Sequence, residues 1–492
     1  MLKILKYLKP KEWLMAGISL IFITIQVWLD LKLPDYMSVI TKLTQTQGSA
    51  MSDIWLNGGY MLLCAFGSLV AAIVVGYFAA KIAALFSQRL RSLLFNKVES
   101  FSMEEINRFS TSSLITRSTN DITQIQMLVV MALQLVIKAP IMAIWAITKI
   151  ADKGFEWSIV TGIAVLIMVS MVTFLMILVI PKFKKMQTLT DNITRVTREN
   201  LTGLRVVRAY NAEDYQEGKF EAANEELTST QMFTNRAMAV MMPVMSMLMS
   251  GLSLAVYWVG AYLIDAAGAM DKLAVFSNMV VFSQYAMQVI MSFMMLVMIF
   301  IMLPRASVSA KRINEVLDTE PNILDGSKTE GKPGVVGEGE FRSVSFRYPD
   351  AAEPVLENIS FTAKKGETVA FIGSTGSGKS TLINLVPRFF DATDGEILID
   401  GVNVKDYKME ALFNKIGYVP QKAVLFKGTV KSNVAYGDNG SKKEYDTDEV
   451  RRAVQIAQSA DFVEKMDGEY EASIAQGGAN ISGGQKQRLA IA

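Results

Sequence analysis

Histidine is absent from all 492 residues, and cysteine occurs once, at Cys64. These residues therefore hold no imidazole-ligated metal, no histidine acid–base catalysis and no disulfide framework. Neither sign of charge dominates. Against 47 Asp and Glu stand 49 Lys and Arg, a net charge of +2 that leaves no electrostatic footprint for nucleic acid. Charge is scarce altogether: 20% of residues are charged and 51% hydrophobic, with a mean hydropathy of +0.28. A chain this long has room for about three soluble domains of ~150 residues. Their surfaces would need more charge than this chain has. The composition is that of a membrane protein with a soluble part attached.

Apolar residues cluster in runs. Uncharged stretches cover 13–29, 54–80, 158–180, 237–264 and 273–304, and a sixth, 122–148, is interrupted only by Lys138. A hydrocarbon core about 30 Å thick takes ~20 residues of helix. Six membrane spans follow, placed at about 13–40, 54–86, 122–149, 157–181, 237–264 and 273–304. Connections after spans one, three and five are short, whereas those after two and four, 87–121 and 181–236, are long and polar. Lys3, Lys6, Lys9 and Lys11, with Lys182, Lys184 and Lys185, favour a cytoplasmic N-terminus and cytoplasmic long loops. Asp30, Lys32 and Asp35 follow the first run where a signal peptide would have small residues, so it is read as a span. Leu2, Leu5 and Leu8 alternate with lysines as in a short interfacial helix.

The long loops contain helical patterns at 88–101 and 196–226. They read as extensions of the spans into the cytosol. Transverse elements near 103–111 and 210–219, or plain solvated hairpins, fit the periodicity equally well. Beyond Pro304 a charged amphipathic helix covers 306–317, and residues 321–339 then hold seven Gly or Pro in nineteen. That marks a linker, 306–338, ahead of a soluble domain at 339–492. Val344, Phe346 and Tyr348 alternate as in a strand, 368–372 is a short apolar run, and a helix starts near Lys379, so this domain is α/β or α+β.

Gly373-Ser374-Thr375-Gly376-Ser377-Gly378-Lys379-Ser380 is a P-loop, placed between the apolar run, read as a buried strand, and the helix. Glycines let backbone N–H groups wrap phosphates, Lys379 reaches the β- and γ-phosphates, and Ser380 offers a hydroxyl to Mg²⁺. Thr381 completes the nucleotide-binding stretch. Kinases, GTPases, motors and transporters all share this element.

A second string narrows the choice. Ile481-Ser482-Gly483-Gly484-Gln485 opens a helix, with Ser482 lying 103 positions beyond Lys379. Here the chain resembles the ABC transporter family, whose signature is Leu-Ser-Gly-Gly-Gln, and the resemblance runs along essentially the whole chain. Tyr348 matches the aromatic that stacks on adenine. Gln421, in Tyr418-Val419-Pro420-Gln421, matches the Q-loop glutamine that touches Mg²⁺ or the attacking water. Asp400-Gly401 falls in the turn the family places between them. Each match has a plainer reading: Tyr348 as a core aromatic, Gln421 as a loop residue, Ser482 as a helix N-cap.

The resemblance implies a multi-pass plasma-membrane protein, an exporter-type half-transporter. Its fold would be an all-α six-helix transmembrane domain, 1–305, with cytoplasmic helical extensions, followed by a cytoplasmic α/β P-loop NTPase domain that is incomplete. Its cofactors would be ATP and Mg²⁺, its partner a second half-transporter and its cargo an amphipathic small molecule. In such a dimer Ser482, Gly483, Gly484 and Gln485 contact ATP in trans, while Tyr348, Lys379, Ser380 and Gln421 act in cis. The transverse elements would be coupling helices resting on nucleotide-binding domains.

The chain also departs from the family pattern. Ile474-Ala475-Gln476-Gly477-Gly478 stands where the family carries Val-Gly-Glu-x-Gly, which points to one subunit of a heterodimeric bacterial multidrug exporter ahead of a homodimer. Alternatives are a mainly regulatory subunit with a degenerate ATP site, a lipid or peptide exporter, or a membrane-anchored P-loop kinase or sensor. Ala492 lies inside the signature helix, and in the family Walker B, the D-loop and the switch His come later. The resemblance thus implies a fragment that binds ATP and does not hydrolyse it alone. Residues 237–304 contain 14 of the 30 Met, with Met287, Met291, Met294 and Met298 on one helical face, suited to packing or to an adaptable cavity. Lys138 is expected to snorkel toward the inner leaflet rather than contact cargo, and Asp30 to be solvated at the outer end of span one rather than attract cationic compounds.

Overall fold

The computed structural model describes residues 2–46, 48–151, 154–268, 271–438 and 446–492. Two units make up the chain: Met1–Ser100 with Phe109–Glu320, and Phe101–Arg108 with Pro321–Ala492.

Long helices build the first unit: α1 Pro10–Gln45, α2 Met51–Glu99, α4 Thr111–Ala151, α5 Phe155–Thr202, α7 Glu213–Ala266 and α8 Lys272–Asp318, with α6 Leu204–Ala209 short, while the short α3 Met103–Phe109 falls, all but its last residue, in the second unit. All six long helices contain a stretch apolar enough to cross a membrane. The 48 residues of α5 extend about 70 Å, over twice the hydrocarbon thickness, so polar parts of these helices continue beyond the bilayer. Pro10 starts α1, where a missing N–H costs nothing, and the Glu12 carboxylate accepts from Lys9 N (2.8 Å). The N-terminal 3₁₀ helix Leu2–Tyr7 is tied down by Arg89, which donates to Tyr7 O (2.6 Å) and bidentately to Glu12 (2.8 and 2.6 Å).

Trp157, Phe282 and Tyr285 centre the core of this unit. Trp157 Nε1 donates to Val256 O (3.1 Å), and its ring lies 5.5 Å from that of Phe282. Met245 and Met279 are buried in packing, whereas Met291 is exposed and Met287 and Met294 half-buried. The side chains of Lys184, Met298 and Pro304 lie outside the described residues.

Four expectations change in this unit. Asp30 and Lys138 are paired with each other instead of turning separately to water and to the inner leaflet: Lys138 Nζ donates to Asp30 Oδ2 (3.2 Å), and Ser68 Oγ donates to Asp30 Oδ1 (2.5 Å). A charge that would flee lipid alone stays when a neighbouring helix neutralises it. Asp35 is engaged likewise, accepting from Lys149 Nζ (2.8 Å) and Tyr285 OH (2.7 Å). The short helix expected at 210–219 is α6, at 204–209. Gly203 ends α5, and Asn211, with φ +48°, turns the chain before α7 begins. Residues 306–317 are the end of α8, not a separate helix.

The second unit carries an antiparallel sheet ordered β2-β1-β3-β4, from β1 Gly339–Phe346, β2 Leu356–Ala363, β3 Asp394–Ile399 and β4 Val402–Asn403. Phe341, Val344 and Phe346 face its core, and a bulge at Ser343 (φ +45°) resets the alternation between the first two. Asp400 and Gly401, both at positive φ, form the two-residue β3–β4 turn. Residues 321–339 lie along this unit. Gly326 N donates to Tyr407 O (2.9 Å), and a side chain at Gly326 would collide with the Asp406 carbonyl.

The apolar run 368–372 departs from its expected burial. It forms no strand and joins no ladder among the described residues, and Ile372 is 95% exposed. A strand with this composition is buried only by neighbours on both edges and faces, and the sheet here is built from other segments. A second small ladder pairs β5 Gly428–Thr429 with β6 Ser473–Ile474, over a separate core that includes Leu425, Val454 and Leu489.

Candidate nucleotide-binding site

Local sequence dictates the P-loop's path. Gly376 and Gly378 have φ of +88° and +86°, and a Cβ on Gly378 would come within 2.8 Å of Leu356 Cδ2 and 3.1 Å of Val355 O. Only glycine fits there. The helix Lys379–Leu385 then begins directly behind the loop. Residues 373–377 and Ser380 are exposed. Lys379 folds back over the loop, donating to Gly373 O (2.9 Å), Ser374 O (2.6 Å) and Ser377 Oγ (3.3 Å). An ammonium already turned onto the loop's oxygens fits an incoming phosphate chain.

Tyr348 lies just past the end of β1. Its OH shares a hydrogen bond with Thr381 Oγ1 (3.1 Å), and its ring meets Phe346 and Phe390 edge-on at 4.8 and 5.3 Å. It is half-buried, so the core-aromatic reading holds for one side, while its hydroxyl sits at the P-loop helix. Gln421 is exposed in the bend after Pro420. Three residues earlier, Tyr418 OH donates to Asn384 Oδ1 on the P-loop helix (2.9 Å) and packs edge-on against Phe389. Tyr348, the P-loop and the Gln421 segment thus converge on the helix 379–385. Asn384 and Phe389, which anchor this arrangement, had no motif to reveal them.

Ser482 caps the helix Gly483–Ile491 through a reciprocal box: its Oγ accepts from Gln485 N (3.3 Å), and its N donates to Gln485 Oε1 (2.8 Å). A Cβ on Gly483 or Gly484 would meet nothing within 4 Å. The helix start is therefore open to a ligand. It stands on the second core, apart from the P-loop elements. Upstream, Asn480 clips the loop 475–478, accepting from Ala475 N (2.9 Å) and donating to Ser473 O (2.8 Å), and leaves Gln476 exposed.

Magnesium requires oxygen donors and keeps several waters. Among the described residues the Ser380 hydroxyl and Gln421 amide have no side-chain hydrogen-bond partner, and no group of three His, Cys, Asp or Glu could hold a metal. These residues fit a metal held mainly by a nucleotide's phosphates, with Ser380 and Gln421 completing its shell.

Two buried carboxylates organise the surroundings. Asp400 Oδ1 accepts from Gly337 N (2.6 Å) and Glu338 N (3.2 Å), and Oδ2 from Lys415 Nζ (2.9 Å). Burial pushes this carboxyl up, but Lys415 and the two amides outweigh it and hold it below its ordinary value. A depressed carboxyl stabilises the fold above the unfolded-state value near 3.8, and that contribution is lost as pH falls through the lower folded value. Asp400→Asn should therefore cost about 2 kcal/mol at neutral pH. Thermal unfolding in detergent should show the variant and the parent converging below about pH 4. A gap that persists in acid would remove the carboxylate's role.

Glu105, on α3, accepts from Ser102 N (2.7 Å), Ser102 Oγ (2.5 Å) and Asn322 N (3.0 Å). Burial raises this carboxyl, yet these donors together hold it low. The spacing Ser102-x-x-Glu105 is a capping-box signature that the sequence displays, and it bears on how α3 belongs with the second unit.

Comparison with known proteins agrees with this architecture. Residues 16–293 match the ABC transporter transmembrane region family and residues 356–492 the ABC transporter family. An uncharacterized ABC transporter ATP-binding protein of Bacillus subtilis is 33% identical over all of this chain and 84% of its own length. One from Mycobacterium tuberculosis is 40% identical over 77% of this chain, which spans 64% of that protein's length. An ATP-dependent lipid A-core flippase of Pseudomonas aeruginosa is 32% identical over 77% of this chain and 61% of its own length. With six membrane-crossing helices and a P-loop unit in one polypeptide, this multi-pass membrane protein belongs to the ABC transporter family and has the architecture of an exporter-type half-transporter.

Proposed function

We propose that the chain is the ATP-binding and permease half of an exporter that couples ATP binding and hydrolysis, in a dimer, to efflux of amphipathic compounds. The observation that carries this reading is the coexistence of a preformed P-loop and an open, capped signature helix on separate cores of one domain. Lys379, Ser380, Tyr348 and Gln421 would serve the chain's own nucleotide with its Mg²⁺. Ser482 and Gly484 would complete the site on a partner. ATP bound between two such domains favours the closed dimer by differential affinity, and hydrolysis resets it. Residues 1–305 would form the transmembrane domain and 306–338 the linker, with the N-terminus and the domain 339–492 cytoplasmic.

Lipid-like cargo gains support from the relatives named as lipid A-core flippases. The exposed Gln476, where the family carries Glu, supports pairing with a different half-transporter, which could carry the productive hydrolysis while this chain is mainly regulatory. Inverted vesicles containing the dimer should accumulate a fluorescent amphiphile on addition of ATP. ATP binding without accumulation of any lipid or cationic probe would favour a membrane-anchored sensor and overturn the exporter reading.

A further inference from the structure

Ser68 stands close to the midpoint of the uncharged run 54–80, and Lys138 is the lone charge within 122–148. Both side chains meet at Asp30 of α1. A carboxylate and an ammonium are thereby held among α1, α2 and α4, three of the helices apolar enough to cross a membrane. Charges there are rare, face the bundle interior or a wet cavity, and mark transport routes. Their pairing is not sealed, since 21% of the Asp30 side chain and 16% of the Lys138 side chain remain accessible. In α4 the π turn Ala132–Val136 shifts the helix phase immediately before Lys138, a distortion that recurs at functional sites.

The facing part of α8 is polar as well. Gln288 Nε2 donates to Asp30 O (3.4 Å), while its buried Oε1 has no partner among the described residues. Gln284, Met287, Gln288 and Met291 fall on one stripe, with Gln284 and Met291 exposed and the other two half-buried. Two carboxamides turned into lipid would lose their hydrogen bonds, so this stripe belongs on a passage that holds water or cargo. Thioethers beside them tolerate varied shapes.

Resting on the exporter reading above, we propose that Asp30 and Lys138 seat the headgroup of the cargo, and that this headgroup is zwitterionic, bearing one ammonium and one phosphate or carboxylate. Charge balance selects the class. An anion taken by Lys138 alone would strand the Asp30 carboxylate, and a cation taken by Asp30 alone would strand the ammonium. A zwitterion exchanges one ion pair for two, its cation on Asp30 and its anion on Lys138, and leaves no net charge in low dielectric. Ser68 can keep its bond to Asp30 Oδ1 throughout. Gln288 Oε1 supplies a waiting acceptor for a further N–H of the ligand's ammonium, and Met287 and Met291 lie beside it for the chain that follows.

Binding of dodecyl phosphoethanolamine, dodecyl phosphate and dodecylammonium to the full chain in maltoside micelles, without nucleotide, tests this. The zwitterion should bind at least ~10-fold more tightly than either probe bearing charge of one sign. In the neutral double variant Asp30→Asn with Lys138→Met, that preference should vanish. The exchanged pair, Asp30→Lys with Lys138→Asp, should restore it, which separates recognition from folding. Equal binding of all three probes by the unaltered protein would overturn the proposal, as would a preference that survives in the neutral variant. No ATP is involved, so either failure leaves the exporter reading standing, and loss of ATP-driven transport with the preference intact would sink only that reading.

Discussion

Lys379→Ala should lower kcat for ATP in the assembled transporter by ~10²-fold or more while leaving the protein folded and inserted. It is the sole cation in 373–380. Its ammonium is held by two carbonyls and a hydroxyl of its own loop, at 2.9, 2.6 and 3.3 Å. Those acceptors lie at an exposed surface where water can replace the lysine, so the cost to stability should stay below ~1 kcal/mol. What the alanine removes is positive charge where a triphosphate would accumulate negative charge, with no substitute in the loop. ATPase activity and the unfolding midpoint, measured on the same preparation, distinguish the two effects. Turnover close to that of the parent would discard the lysine's assigned role, and a collapse of the midpoint would make it structural.

Legibility in this chain follows the range of the interactions. The P-loop and signature were readable because each is decided within about eight residues: positive φ at Gly376 and Gly378, and a serine that caps a helix three positions on. Six spans were readable because the hydrocarbon dictates helix length. Asp30 and Lys138 were misread for the opposite reason. They are 108 residues apart, and each, taken alone, had a sensible fate in water or at the interface. The run 368–372 shows the same limit, since its composition asks for burial but burial must come from other segments. Glu105 lies between these cases. Its capping box is local, but its bond to Asn322 spans 217 residues and only the fold displays it. α6 was displaced by several residues because Gly203 and Asn211 are modest signals, and the helical periodicity continues past both.

Gly484→Ala should separate stability from function. Gly483 and Gly484 open the signature helix, where alanine is worth up to ~1 kcal/mol more than glycine, and a methyl at either position would touch nothing within 4 Å. The chain's own fold therefore gains from the substitution, and the unfolding midpoint should hold or rise. Two glycines kept at that position leave backbone N–H groups free for close approach by something outside the chain. In the proposed dimer this is the triphosphate on the partner's P-loop, and turnover with the partner should fall by ~10²-fold. Gly478→Ala should behave in the reverse manner. Its φ is +65°, and a Cβ would stand 3.0 Å from Lys486 Cε and 3.3 Å from Leu425 Cδ1, so the midpoint should drop. Its place behind the helix, against the second core, gives no direct route to a nucleotide. Normal turnover in Gly484→Ala, with an unchanged midpoint, would end the idea that one chain completes the other's site.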